Sequence, residues 1–276
     1  MLALVALVMG QPETIRSQSP GASVLSDCLL VTYYGNPNSP RMGVLGQLAG
    51  AALADGLRRQ GAAYEGLTTK RVLMAYQLVT VVAQGAPGRD GMYRRRESQD
   101  IVRALLDEAR RNGFKLVLDV QPGRASVAGE VEALATYLSD PDVYLALDPE
   151  FAMRGDDVPG VQIGQMQAAD INAAIDILER VIREGHLPPK VLIVHQFRWD
   201  MLPDKSKIKK SACVDVVLNM DGFGGPALKR SSYHDVMRQG QLPFAGIKLF
   251  YQEDDHLLTP AQVMMLTPRP SVVIYQ

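Results

Sequence analysis

Five acidic side chains, Asp119, Asp148, Glu150, Asp221 and Glu253, stand at or just beyond the ends of short β-branched runs in this 276-residue sequence. Carboxyl groups gathered at one place cannot all ionise cheaply. Some keep a proton near neutral pH and become general acids, while others hold a charge. Two carboxyls flanking a glycosidic bond are the minimum equipment for its hydrolysis. Glu150 is the expected general acid/base, Asp221 or Glu253 the nucleophile or charge stabiliser, and Asp148 a further acid beside them.

The same run ends carry side chains suited to holding a sugar. Asp119, Gln121, His195 and Gln196 supply hydrogen bonds, and Tyr34, Tyr76 and Tyr251 supply rings. His195 is the one histidine at a run end, placed either as an acid/base or ligand or as a hydrogen-bonded part of the wall. Lys248 lies inside an apolar run. It either answers the carboxylate charge or, if desolvated, forms a Schiff base. Asp119, Asp148, Glu150 and Asp221 are also oxygen ligands of the type that Mg²⁺ or Ca²⁺ takes. There is no HxH, no HExxH and no CxxC, and the Asp221-Gly-Phe-Gly-Gly segment has no following Lys-Ser/Thr, so it is not a phosphate loop. No metal and no cofactor is therefore expected.

What must position these groups is an alternation of strands and helices. Eight β-branched runs occur: 29–34, 72–77, 115–121, 143–150, 191–197, 214–221, 245–252 and 271–276. Helix-like segments lie between them at 44–59, 98–112, 129–138, 170–184, 233–239 and 259–266. Ser98 opens one as a cap and Gly113 follows its end. In the 170–184 segment the apolar positions 171, 174, 175, 178 and 182 share one face, and Gly185 ends it. The pattern predicts a parallel sheet, and the length suits a (β/α)8 TIM-like barrel, which typically needs about 250 residues. In such a barrel the strand C-termini surround the active site. Every run here delivers a polar or aromatic group to that end. No helix follows the eighth run, so the expected barrel lacks its final helix. Either the 11–26 stretch covers the seam between last and first strands, or the ring is incomplete.

Residues 1–9 are almost purely apolar and 11–26 polar, which reads as a leader and linker (1–26) before the barrel domain (27–276). This predicts export, to the cell envelope or beyond, with a cytoplasmic location as the alternative, and no integral span other than that leader. The net charge of −1 gives no basic excess for a nucleic-acid backbone. Cys28 and Cys213 read as free buried thiols, and the basic 205–210 segment as a solvated face.

The segments YYGNP, LDVQPG, LALDPEF, PG-x-x-IGQ, VHQF, DGFG, KLFYQED and VIYQ, spread from residue 29 to the end, resemble an uncharacterised family of exported bacterial proteins. More distantly, the layout resembles glycoside hydrolase barrels. A Glu after the fourth run (Glu150) and another after the seventh (Glu253) are similar to the paired acids of one large clan, although that clan has Asn-Glu where this chain has Asp148-Pro149-Glu150. The Asp-x-Glu at the fourth run also resembles chitinase-like barrels, with Asp221 near their strand-six acid, but the fuller series of spaced aspartates is absent. The function expected is hydrolysis of a glycan, on a small-molecule or polysaccharide substrate. The alternatives are a non-catalytic glycan-binding barrel of the cell envelope and a metal-dependent phosphodiesterase or lyase.

Overall fold

A computed structural model describes residues 23–238 and 242–276. The apolar leader and most of the polar stretch after it lie outside the described residues. Among those described there are nine strands: β1 (Cys28–Gly35), β2 (Arg71–Ala83), β3 (Arg94–Arg96), β4 (Lys115–Val120), β5 (Val143–Leu147), β6 (Lys190–Gln196), β7 (Val214–Met220), β8 (Phe244–Leu249) and β9 (Val272–Tyr275). All but β3 run parallel, each paired with its neighbours, and β9 pairs back onto β1 through Leu30–Val272 to Tyr33–Tyr275. The ring is closed, an eight-stranded α/β TIM-like barrel. β3 is an antiparallel flap added to the top of β2.

Strand side chains alternate between faces, so each barrel strand gives one set to the interior and one to the surrounding helices. Leu30, Ala75, Val117, Ala146, Ile193, Val217 and Val272 fill the lower interior as one apolar cluster. Leu29, Val31, Leu116, Leu145, Leu192 and Val216 point outward into the larger cluster beneath the helices. A bulge in β2 at Thr80 changes this parity, so that Val79 and Val82 face inward and Val81 outward.

The helices are α1 (Val24–Asp27), α2 (Val44–Gln47), α3 (Gly50–Ala62), α4 (Gln99–Arg111), α5 (Val127–Ala133), α6 (Ala135–Leu138), α7 (Ala168–Gly185), α8 (Pro226–Arg238) and α9 (Pro260–Met264). The Ser98 hydroxyl accepts from Ile101 N at the start of α4, and Gly113 follows that helix with φ +72°. At the end of α7 the left-handed residue is His186 (φ 48°), not Gly185. α8 begins seven residues earlier than the expected 233–239 segment, of which Gln239 lies outside the described residues.

Direct β9–β1 pairing closes the ring at the seam, so the ring is not incomplete, and of the 11–26 stretch only residues 23–26 are described. Outside the seam, the segment after α3 brings Tyr64, whose hydroxyl lies 2.7 Å from that of Tyr275 on β9. Residues 23–27 serve another purpose, plugging the barrel floor. Val24 and Leu25 join the interior cluster, and Asp215 at the foot of β7 accepts from Leu25 N (2.8 Å) and the Ser23 hydroxyl (3.0 Å). Cys28 is buried, Cys213 is only half-buried, and both are free. The 205–210 segment is not a uniformly solvated face: Lys205 is buried and donates to Gln196 Oε1 and Val236 O.

An Asp215→Ala variant removes the acceptor that satisfies the Leu25 amide inside the floor. It should lose about 1–3 kcal/mol of stability, the cost of a buried donor left unpaired. Urea titration checks this. An unchanged midpoint would mean that the plug is not anchored there.

Candidate active site

The barrel interior changes character about halfway up. Above the aliphatic layers the inward positions become Thr32, Gln77, Asp119, Asp148, His195, Asn219 and Lys248, all buried. Each follows from strand parity: Asp119 is two residues beyond Val117, His195 two beyond Ile193, and Asn219 two beyond Val217. Gly246 completes the layer by having no side chain. A Cβ there would lie 2.6 Å from Asn219 Oδ1.

His195 is the centre of this layer. Its Nε2 lies 3.0 Å from Asp119 Oδ2, and its Nδ1 lies 3.3 Å from Asp221 Oδ2 and 3.1 Å from Asn219 Nδ2. Burial alone would lower its pKa, but Asp221 and Asp119 outweigh it, so the imidazole is raised above its ordinary value. Burial works against Asp119 in the opposite sense and is likewise overcome. The charge and hydrogen bond of His195, the Gln77 amide at 2.8 Å and the Lys248 charge hold its carboxyl below the usual range. Lys248 Nζ lies 3.2 Å from Asp221 Oδ1 and 3.6 Å from the centre of the Tyr34 ring. With an acidic partner and an aromatic face around it, Lys248 answers the carboxylate charge.

Above this layer opens a cavity of about 590 Å³, lined by Tyr34, Gln121, Asp148, Glu150, Asp221, Lys248 and Gln276, with Phe151, Phe197, Phe223 and Phe250 among its apolar walls and Arg41 at its edge. Asp148 accepts from Gln121 Nε2 (3.2 Å) and from Glu150 N (3.2 Å). Burial, opposed by His195 and reinforced by Glu150, Asp119 and Asp221, pushes its carboxyl up to about 8. Glu150 is raised too, by burial first and then by Asp221, with Lys248 and His195 opposing. Burial and the surrounding carboxylates raise Tyr34 well above its ordinary range. The site therefore pairs carboxyls of raised pKa on the β5 side with a Lys248–Asp221 ion pair on the β7–β8 side.

Not every expected residue reaches this mouth. Asp148, Glu150, Asp221, Gln121, Tyr34 and Lys248 line the cavity; Asp119 and His195 lie in the buried layer beneath it. Tyr76 points outward and packs edge-on to Phe114 (5.5 Å), because β2 continues to Ala83 and residue 76 falls on its outer face. Gln196 is the outward neighbour of His195 and binds Lys205 Nζ, Arg198 O and Trp199 O. Tyr251 stacks on Tyr275 outside the seam. Glu253 is exposed in a turn beyond β8 and does not line the cavity.

Residues missed in the sequence include Gln77, Asn219 and Phe250. Asn219 and Phe250 sit two positions from Asp221 and Lys248, and that spacing was the available signal. Lys229 was missed as well. It forms a buried ion pair with Asp254 (2.8 Å) and donates to Gly222 O, tying together the loops that follow β7 and β8. Among the described residues, no group of three or more His, Cys, Asp or Glu side chains is arranged to hold a metal ion.

Asp148 makes a pH-dependent contribution with a definite sign. Its carboxyl is raised from an ordinary 3.8 to about 8 in the folded chain. The folded state therefore binds more protons than the unfolded one between those values, and this contribution to stability is lost as pH rises through the window. Asp148→Asn keeps the shape and cannot ionise. Melting curves from pH 4 to pH 8 should fall less steeply for this variant than for the parent chain, and parallel curves would show that Asp148 does not titrate in this window.

No family model matches the sequence, and no curated protein matches it. Among solved structures the chain is similar to a GH18 chitinase from Pseudoalteromonas aurantia, with a TM-score of 0.45 and 10% identity over 89% of this chain and 92% of that one. It is also similar to a GH5-4 broad specificity endoglucanase from an uncultured bovine rumen ciliate, with a TM-score of 0.41 and 8% identity over 74% and 72% of the two chains. The resemblance to glycoside hydrolase barrels is distant and is one of fold.

Proposed function

We propose that the chain is a glycan-acting hydrolase that works by carboxyl acid/base chemistry at the C-terminal mouth of the barrel. The observation that supports this is the division of the mouth into two kinds of acid. Asp148 and Glu150 have raised pKa values, Asp148 up to about 8, whereas Asp221, on the same cavity, is ion-paired with Lys248. A glycosidic bond breaks when its leaving oxygen receives a proton while positive charge develops on the sugar ring. Glu150, half-buried at the rim, is placed to give that proton. Asp148 lies directly beneath it with its Oδ1 on the Glu150 amide, so its protonation controls the charge that Glu150 feels. Asp221 supplies negative charge to the cavity floor. Gln121, Tyr34 and Lys248 are available to hydroxyl groups, and the phenylalanines to the apolar faces of a pyranose.

A second reading, a barrel that binds a glycan without cleaving it, draws support from the placement of Asp221 Oδ2 on both His195 and Lys248 and from the burial of its Oδ1.

Glu150→Gln separates the two. In the hydrolase it should cut turnover roughly a hundredfold to ten-thousandfold, the usual contribution of a positioned acid/base, with the circular dichroism spectrum and melting temperature close to the parent chain. Reducing-end release from a panel of polysaccharides provides the measurement. Saturable binding without product from the unaltered chain would replace the hydrolase reading with the binding one.

A further inference from the structure

The barrel-mouth cavity does not end at the barrel. Phe197 and Ser232, on its wall, also line a second cavity of about 350 Å³ that touches Trp199, Asp235 and Arg238. Arg198 is shared in turn between that cavity and a third of about 530 Å³, lined by Arg154, Asp157 and Gln162. Shared wall residues line these three cavities up as a candidate groove, from Glu150 and Asp221 past the loop after β6 to the loop after β5.

Trp199 stands in the middle of this groove with its side chain in the open. The residue is 70% exposed, while the turn that carries it is fixed. Gln196 Nε2 donates to Trp199 O (3.3 Å), Arg198 pairs with Asp200, and Met201 is fully buried. Phe223, 63% exposed at the barrel mouth, is braced edge-on against Phe250 at 6.0 Å. Leaving large rings in water forgoes their burial, worth roughly 1.5–3 kcal/mol for a side chain the size of phenylalanine. Here the surrounding backbone holds them in that position.

Flat apolar faces alternating with Arg, Asp, Gln and Ser match a pyranose chain, which presents C–H faces to rings and hydroxyls to polar side chains. We propose that this groove binds a linear polysaccharide along several sugar units, with Trp199 as a stacking platform beyond the cleavage position. The substrate class is therefore a polymer and not a mono- or disaccharide. This rests on the glycan reading of the barrel mouth and extends it.

The chain contains one tryptophan, so its emission reports this platform directly. The full chain would be titrated with neutral, N-acetylated and uronic-acid oligosaccharides of two and of six units. In one of these series the six-unit chains should bind about tenfold more tightly than the two-unit chains, a gain of about 1.4 kcal/mol, and shift the emission to shorter wavelength. Trp199→Ala, read by calorimetry, should lose that tenfold gain and leave two-unit binding unchanged. Equal affinity for both lengths, an unmoved emission on binding, or a Trp199→Ala variant that keeps the length dependence would overturn the groove while leaving the glycan reading in place. If no series binds at all, the groove and the glycan reading fall together.

Discussion

A protonatable imidazole held between two carboxylates, inside a closed barrel, is the interaction on which the rest of the mouth depends. Burying Asp119 and Asp221 without partners would cost several kcal/mol each, and they would neutralise instead. His195, whose pKa is raised, lies on both of them and Lys248 on one, so an imidazole and an ammonium stand between two carboxyl groups at this level of the barrel. That balance lets a barrel whose lower interior is aliphatic carry an ionised upper interior. It also leaves little positive charge for the next carboxyls upward. Asp148 and Glu150, over a layer whose cations are already committed, meet burial first and then like charge, and both carboxyls are raised above their ordinary values. The acidity of the rim is thus set one layer below it.

The same layer is tightly constrained in shape. Gln77 links Thr32 on β1 to Asp119 on β4 through its own amide, and Asn219 on β7 reaches His195 on β6. Neighbouring strands are therefore tied across the interior as well as along the sheet. Gly246 belongs to this network by omission, since any side chain there would strike Asn219. Outside the ring, the Lys229–Asp254 ion pair fixes the two loops that set Phe223 and Phe250. Such buried pairs contribute little net stability but are costly to break singly. Their effect here is positional: the mouth is shaped by loops whose ends are pinned.

Much of this was legible in the sequence, because alternation in strands has a fixed period. All eight barrel strands fall where β-branched runs occur, and Asp119, Asp148 and His195 face inward as positions two residues from apolar interior ones, with Gln121 two beyond Asp119. Two of the misplaced residues share a cause. Tyr76 and Gln196 were assigned by nearness to a run end, whereas facing depends on parity: each is the neighbour of an inward residue, Gln77 and His195. In β2 the run ends at Ala83 and not at Gln77, and the bulge at Thr80 resets its parity in a way no pattern in the run announces. Glu253 was counted as a strand-end acid, but β8 stops at Leu249 and the following turn carries it into solvent. The floor plug was illegible for another reason: Val24 and Leu25 form only one helical turn, too short to show a period, and their burial depends on Asp215, some 190 residues away.

The arrangement of Asp221 bears on how such a mouth would act. A carboxylate that attacks a sugar carbon needs a free oxygen lone pair directed at the cavity. Asp221 has Oδ2 on both His195 and Lys248, while Oδ1 is buried 3.2 Å from Lys248 Nζ without a hydrogen-bond partner. Freeing either oxygen would unbalance the buried layer, because Lys248 or His195 would then be a charge without a counterpart. Keeping the carboxylate against both cations leaves it in the cavity wall, at the cost of one buried oxygen without a hydrogen bond. On the hydrolase reading, Asp221 therefore suits a stabilising role better than a nucleophilic one: it holds the field that favours positive charge on the ring while Glu150, the less buried carboxyl, moves the proton. Stabilisation by a fixed charge needs no reorganisation during reaction, which is the condition under which preorganised groups contribute most. The same rigidity that lets His195 and Lys248 live inside the barrel would make Asp221 effective in that part.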